Sequence, residues 1–210
     1  MAQEPSLKLD HITVVARTLD EGSAYIKNAL GIDMPSGGAH PRMGTHNKLL
    51  SLGSDVFLEL IAIDPDAEES GRPRWFNLDR FDGAPRLGTW VLGTDDIESA
   101  LASAHQDSGV ATQITRGDLE WLISVPDNGA MPMGGGFPTL IEWPTGPHPA
   151  SRMTDLNCRL KRLTIEHPEV EEIERLIGHR IDTGLIKITK GTDLKIKASI
   201  QTPSGERELT

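Results

Sequence analysis

The sequence is poor in cysteine and has no long hydrophobic run. Its 210 residues include one cysteine, Cys158, which excludes an internal disulfide framework of the kind found in small secreted proteins. An apolar stretch of about 20 residues, which a membrane-spanning helix needs, is missing. The polar beginning of the chain also differs from the basic and then apolar pattern of a signal peptide. We therefore predict a soluble protein in a reducing, cytoplasmic setting, with no membrane partner.

Basic residues are scarce as well. The chain has 21 lysine and arginine residues against 31 aspartate and glutamate residues, which gives a net charge of −10 at pH 7. Such a charge repels nucleic-acid backbones and anionic lipid surfaces, so we predict no nucleic-acid partner. The acidic excess lies upstream, because residues 1–150 carry a net charge of −11 and residues 151–210 carry +1.

The few aromatic residues are concentrated in the same upstream part. All nine lie between Tyr25 and Trp143. Since large rigid side chains line small-molecule pockets, we predict that any chemistry belongs to this part. Three prolines between residues 144 and 149 remove backbone donors and interrupt regular structure. The predicted boundary therefore separates a main domain, residues 7–145, from a C-terminal extension, residues 151–210.

The main domain contains a repeated unit. Leu9–Ala16 is a β-branched run typical of a covered strand, and Thr18 then begins a helix that Gly31 can end. A shift of 78 residues brings Gly109 onto Gly31 and also aligns the preceding strand and helix without a gap. Short extended runs follow each helix, at 36–40, 46–52 and 56–63 in the first copy and at 112–116, 119–125 and 139–143 in the second.

Each copy is thus predicted to be a βαβββ module. Module one spans residues 7–65, module two spans residues 85–145, and their curved mixed sheets surround a shared cleft. The extension predicts a shorter βαββ unit, with a strand at 160–165, a helix at 168–177 and two strands within 185–200. The predicted fold class is α+β.

Three segments carry a family resemblance. The opening Leu9-Asp10-His11-Ile12, the run from His40 to Asn47 and the ending Phe57-Leu-Glu-Leu-Ile-Ala-Ile-Asp64 resemble the glyoxalase-like branch of the vicinal oxygen chelate superfamily. The resemblance implies the doubled βαβββ fold over about two thirds of the chain. It also implies chemistry in which a divalent metal chelates a substrate through two oxygens and stabilises a developing anion.

The resemblance assigns metal ligands to the first and last strands of each module. By position these are His11, Glu59 and Glu142, with Glu59 and Glu142 also predicted as the catalytic proton-transfer groups. The fourth position falls on Thr89, whose neutral hydroxyl is a poor ligand and which is instead assigned to substrate binding. The three remaining groups predict a site for Zn²⁺, Mg²⁺, Mn²⁺ or Fe²⁺ that leaves positions open for substrate.

Four further residues are predicted to bind substrate. Arg42, His46 and Asn47 lie in a segment with more hydrogen-bonding groups than a turn needs, and Arg42 offers a planar fork for a carboxylate or phosphate. Trp75, between the modules, is predicted at the mouth of the cleft. For each residue a structural role is the alternative: a core histidine at His11, an ion pair of Glu59 with Arg42 or Lys48, and a solvent-facing strand around His46.

Three functions follow from these residues. The first is a metal-assisted lyase, isomerase or hydrolase acting on a small oxygenated molecule. The alternative is a protein that binds or sequesters such a molecule in the same cleft without a metal and without catalysis. The third is an assembly module in which the alternating strand at residues 194–200 adds to the sheet of a partner. A homodimer is predicted as a further option.

Overall fold

The computed structural model describes residues 5–144, 146–181 and 184–210. Within these residues the chain forms twelve strands and three α-helices in two sheets. The first ten of these elements follow in chain order as β1 (Lys8–Val15), α1 (Leu19–Leu30), β2 (Ser36–His40), β3 (Thr45–Ser51), β4 (Phe57–Ile63), β5 (Arg86–Gly93), α2 (Ile97–Leu101), β6 (Val110–Arg116), β7 (Leu119–Val125) and β8 (Thr139–Glu142). The remaining elements are β9 (Arg159–His167), α3 (Val170–Ile177), β10 (Ile186–Lys190), β11 (Lys195–Thr202) and β12 (Gly205–Leu209).

Local sequence signals explain where the first helix begins and ends. The Thr18 hydroxyl accepts a hydrogen bond from the backbone N–H of Glu21, which satisfies one free donor of the first turn. Gly31 ends the helix with a φ of 73°, a left-handed conformation that glycine adopts without a steric penalty. Gly109, aligned with Gly31 by the 78-residue shift, has a φ of 76° but does not end a helix, because α2 ends at Leu101 and a 3₁₀ turn, Gln106–Ser108, precedes this glycine.

Strands β1 to β8 form one curved sheet in the order β2-β3-β4-β1-β5-β8-β7-β6. The modules join at the centre of the sheet, where β1 pairs parallel with β4 and antiparallel with β5. The two outer strands, β2 and β6, approach each other, and Arg42 Nη1 donates a hydrogen bond across this seam to the Gln113 carbonyl at 2.6 Å. The sheet therefore curls into a nearly closed barrel with a concave interior.

Strands β9 to β12 form a separate sheet in the order β10-β9-β11-β12. The sequence predicts a βαββ unit for the extension and misses β12. This strand is largely polar and carries no apolar alternation. The alternating strand β11 is paired on both sides, with β9 and β12. It therefore offers no free edge to a partner sheet, which corrects the assembly-module prediction. The α+β class, the curved sheet and the separate C-terminal sheet are otherwise as predicted.

The core lies between the convex side of the curved sheet and the C-terminal sheet. One apolar cluster includes residues of both sheets, among them Ile12, Trp90, Leu163 and Ile165, all fully buried. A backbone hydrogen bond from Leu160 to the Leu52 carbonyl also links the two sheets. In the described part of the chain, no helix is both long enough and apolar enough to span a membrane. The concave side of the curved sheet is left to form a pocket.

Candidate functional site

The concave side of the curved sheet holds a cleft of about 430 Å³, counted to its open mouth. Aromatic side chains form the walls, and polar or charged side chains cluster between them. The aromatic residues are Phe57, Trp75, Phe76, Trp121 and Trp143, and the polar residues are His11, His40, Asn47, Glu59 and Arg116.

Strand alternation brings the first-module residues to this side. Side chains two residues apart on a strand share a face, so His11 and Thr13 on β1 point the same way. Glu59 on β4 is flanked by two strands. Thr13 of β1 lies opposite it on one side, and Leu49 of β3 lies opposite it on the other. Asn47, two residues before Leu49, therefore lies on the same concave face as Glu59.

Glu59 lies at the centre of this cluster and is 6% exposed. Its Oε1 accepts a hydrogen bond from Asn47 Nδ2 at 2.7 Å. Its Oε2 lies 3.5 Å from the Thr13 hydroxyl and 3.7 Å from Nε2 of His11. A carboxylate in an apolar strand is costly to bury unless polar groups surround it, and these contacts meet that requirement.

Asp10 supports the His11 ring from behind. Its Oδ1 lies 2.6 Å from Nδ1 of His11, and its Oδ2 accepts hydrogen bonds from Trp143 Nε1 at 2.9 Å and His148 Nε2 at 3.0 Å. Burial by itself would raise the pKa of Asp10, but the hydrogen bonds and charges of His11 and His148 outweigh it and lower the pKa to about 2. Asp10 is therefore ionised near neutral pH and accepts a hydrogen bond from Nδ1–H of His11.

This arrangement orients Nε2 of His11. The ring also stacks on Phe57, with centroids 4.4 Å apart, which restricts its rotation. Nε2 of His11 lies 3.7 Å from Oε2 of Glu59, too far for a direct hydrogen bond. Oε2 receives only a 3.5 Å contact from the Thr13 hydroxyl, so it can accept a further hydrogen bond from a group in the cleft.

A second cluster lies beside Glu59. Arg116 Nη1 donates hydrogen bonds to His40 Nε2 at 3.2 Å and to Asn47 Oδ1 at 3.1 Å. His40 also contacts the Thr45 hydroxyl through Nδ1. Burial, with the charges of Arg116 and His46, lowers the pKa of His40 to about 3, so its ring is neutral and accepts from the guanidinium.

Two of the predicted substrate-binding residues, Asn47 and Trp75, line the cleft, whereas three do not. Arg42 is exposed and binds the Gln113 carbonyl at the barrel seam. His46 precedes Asn47 on β3, so its side chain points to the opposite face, where Nδ1 lies 3.8 Å from Asp64. Thr89 is fully buried beneath the cleft, with its hydroxyl 3.5 Å from the Gly135 carbonyl.

Glu142 also lies outside the cleft. Its Oε2 accepts a hydrogen bond from the backbone N–H of Ile97 at 2.8 Å, at the first residue of α2. On β8, Ile141 points into the cleft and Glu142 therefore points to the other side. The prediction of Glu142 as a ligand and proton-transfer group beside His11 and Glu59 thus needs correction. The side chain binds a helix N-terminus instead, a favourable place for a carboxylate.

The donor set does not fit the predicted metal site. Thr13 pairs with Glu59 in module one, and Val91, which is 78 residues after Thr13, pairs with Thr139 in module two. Thr139 is thus the counterpart of Glu59, and Thr89 is the counterpart of His11. Within the described residues, no group of three or more His, Cys, Asp or Glu side chains is close enough together to hold a metal ion. His11 and Glu59 alone fall short of the three protein ligands that catalytic zinc sites use.

Arg116, Trp121 and His148 are not predicted from the sequence, although they line or support the cleft. The glycine pair in β2 is the signal that points to Arg116. A Cβ at Gly38 would lie 3.0 Å from Cδ of Arg116, and a Cβ at Gly37 would lie 2.3 Å from Oδ1 of Asn47. Glycine is required at position 37, because a Cβ there would also lie 2.4 Å from the Asn47 carbonyl oxygen, and at position 38 a Cβ would force Arg116 to shift.

Comparison with known proteins shows the family of the chain. A family model described as "Glyoxalase-like domain" matches residues 9–179. The chain belongs to this glyoxalase-like family. The match confirms the predicted resemblance and extends beyond residue 145 into the C-terminal sheet. No curated protein matches the sequence of this glyoxalase-like protein.

One solved structure shows the same fold, and a second has a weaker likeness. A hypothetical protein from Staphylococcus aureus is 17% identical, with a TM-score of 0.64 over 93% of this chain and 91% of that chain. A methylmalonyl-CoA epimerase from Mycobacterium tuberculosis is 18% identical, with a TM-score of 0.43 over 70% of this chain and 94% of that chain. The first likeness covers both sheets, so the C-terminal sheet is part of the shared fold.

Proposed function

We propose that this glyoxalase-like protein binds a small oxygenated organic molecule in the inter-module cleft, without a metal ion held by the module strands. The observation that carries the proposal is the buried polar cluster around Glu59 within aromatic walls. Polar groups placed in an apolar cleft cost free energy unless they are satisfied, and a few convergent polar groups are typical of small-molecule sites. A cleft of about 430 Å³ is of the size that holds a small molecule.

The donor set supports metal-free binding. The two ligand positions of module two hold threonines, Thr89 and Thr139, so the polar contacts to a ligand come from Asn47, Glu59 and Arg116 instead. The metal-assisted mechanism predicted from the sequence required a third ligand, and Glu142 binds the α2 N-terminus. A homodimer and a cytoplasmic setting stay predictions from the sequence.

Metal content and ligand-induced stabilisation together test this proposal. Protein purified without added metal is analysed for bound ions, and its Tm is measured with a panel of small carboxylic acids, ketones and alcohols, with and without EDTA. We expect less than one divalent ion for every ten chains and a Tm increase that EDTA leaves unchanged, because ligand binding to the native state stabilises it. About one ion per chain, with the Tm increase abolished by EDTA, would refute metal-free binding.

Matched glutamine variants localise the effect. Glu59→Gln is expected to remove most of the ligand-induced Tm increase, because it turns an acceptor of the cleft into a donor. Glu142→Gln is the control, since this side chain lies outside the cleft. Equal ligand effects in both variants would show that the molecule binds elsewhere.

A second candidate function is proton transfer by the same residues. Oε2 of Glu59 lies 3.7 Å from Nε2 of His11, whose ring Asp10 orients, and such a pair can accept a proton from a bound carbon acid. The test is hydrogen–deuterium exchange at the carbon next to the carbonyl group of a bound ligand, followed by NMR in D₂O. Exchange that is equal with wild type and Glu59→Gln would exclude this candidate and leave binding alone.

A further inference from the structure

We propose that the ligand is a small hydroxy acid whose carboxylate binds Arg116 and whose hydroxyl donates to Oε2 of Glu59. This inference rests on the proposed function and adds the ligand class. Arg116, at the end of β6, is the one lysine or arginine among the described residues that line the cleft.

The guanidinium of Arg116 has neutral partners. Nη1 donates to the neutral ring of His40 and to the amide oxygen of Asn47. In the part of the chain that the structure describes, no carboxylate oxygen lies within 4.0 Å of this guanidinium, and the side chain is half-buried. The charge of Glu59 acts on this guanidinium across Asn47 without a direct ion pair, so the half-buried positive charge can bind an anion directly.

Two N–H groups of the same guanidinium are left for a ligand. Gly38 approaches the side chain along Cδ, Nε and Nη1, and Nη1 also binds His40. The Nε–H and Nη2–H groups make no hydrogen bond to the described residues, and Arg116 lines the cleft. Two parallel N–H groups match the two oxygens of a carboxylate.

The Glu59 carboxylate defines a second requirement. Its Oε2 lies beside Nε2 of His11 at 3.7 Å and receives only a 3.5 Å contact from the Thr13 hydroxyl. A hydroxyl of the ligand can donate to Oε2, whereas a second carboxylate would be repelled by Glu59. The preferred ligand is therefore a monoanion that also has a hydroxyl group.

Asn47 sets the spacing between the two subsites. Its Oδ1 binds Arg116, and its Nδ2 binds Glu59, so the guanidinium and the carboxylate flank a single amide group. The walls formed by Trp75, Trp121 and Trp143 then favour an aromatic or branched apolar substituent.

Tryptophan fluorescence tests this ligand class directly, because three of the four tryptophans line the cleft. The probes are mandelate, phenylacetate, which lacks the hydroxyl, and benzyl alcohol, which lacks the carboxylate. We expect mandelate to bind at least about tenfold more tightly than either analogue, because each analogue leaves polar groups of the cleft unpaired.

Variants of Arg116 assign the carboxylate subsite. Arg116→Met is expected to weaken mandelate binding about tenfold or more and to leave benzyl alcohol binding within twofold. Arg116→Lys keeps the charge without the planar fork, so it is expected to restore part of the affinity. Arg42→Met is the matched control, since that arginine is exposed at the seam, and wild-type affinity is expected. Circular dichroism melts show whether each variant is folded.

The outcomes separate the inference from the proposed function. Equal affinity for mandelate and phenylacetate, or unchanged mandelate affinity in a folded Arg116→Met, would overturn the hydroxy acid and leave small-molecule binding intact. A Kd of about 10 mM is taken as the weakest binding that is relevant for such a site. If no probe changes the fluorescence at about 10 mM, the hydroxy-acid inference is also wrong. The proposed function is then decided independently by the Tm and EDTA measurements.

Discussion

Replacement of Asp10 by asparagine tests the electrostatic support of the cleft. The Asp10 side chain is 3% exposed and accepts hydrogen bonds from His11, Trp143 and His148. An asparagine side chain at this position would keep one acceptor oxygen but would present an N–H₂ group to at least one of these donors. The Asp10→Asn variant is therefore expected to lose stability at neutral pH.

The magnitude follows from the pKa of the carboxyl group. The contacts with His11 and His148 outweigh the opposing effect of burial and lower the Asp10 pKa from its usual 3.8 to about 2. A difference of nearly two units corresponds to about 2 kcal/mol of free energy of unfolding. Because the folded-state pKa is the lower one, this contribution is complete above about pH 5 and is lost as the pH falls towards 2.

Urea unfolding of wild type and Asp10→Asn measures this contribution. At pH 7 the variant is expected to be less stable by at least about 2 kcal/mol, and the gap is expected to narrow as the pH falls from 5 to 3. Asp155→Asn is the control, because hydrogen bonds from Arg159 also lower the pKa of Asp155 to about 2 but the side chain is exposed. A gap between wild type and Asp10→Asn that is the same at pH 3 and pH 7 would refute the reasoning.

Three further predictions concern packing. Gly37→Ala would place a Cβ 2.3 Å from Oδ1 of Asn47, so we expect a loss of about 1–3 kcal/mol in urea unfolding and weaker ligand binding; a variant of wild-type stability would contradict the close approach. Burial raises the pKa of the Cys158 thiol, so its reaction with a disulfide reagent is expected to be slow in the native protein and fast in urea, and equal rates would argue against burial. Ile165→Ala is expected to cost about 2–5 kcal/mol because it opens a cavity in the shared core, whereas a cost near that of exposed Lys161→Ala would show that the C-terminal sheet is not packed there.

The repeat shows which features of the fold can be predicted from local sequence patterns. Strand β5 lies 78 residues after β1 at both of its ends, as the alignment predicts. Gly31 and Gly109 both have a positive φ, which side chains other than glycine rarely adopt. These features depend on the backbone geometry of a few neighbouring residues, so the sequence reveals them directly. The polar strand β12 has no such local signal and exists because β11 supplies its hydrogen bonds.

The candidate site is predicted in part for the same reason. His11, Asn47 and Glu59 are recognised because each is a polar residue within a strongly patterned strand. Glu142 is only one residue away from a position that points into the cleft, and a shift of one residue along a strand moves a side chain to the opposite face. Short strands such as β8 have too few residues for the pattern to settle that choice.

By itself the sequence determined the α+β class, the two βαβββ modules and the family, because apolar periodicity and glycine positions depend on short-range geometry. Tertiary structure decided which polar groups meet. Arg116 lies 69 residues after Asn47 in the chain and contacts it only because the two outer strands come together when the sheet curls. The predicted arginine, Arg42, lies at the seam between these strands instead. Closure of a sheet is a property of all its strands at once, and no short segment carries that information.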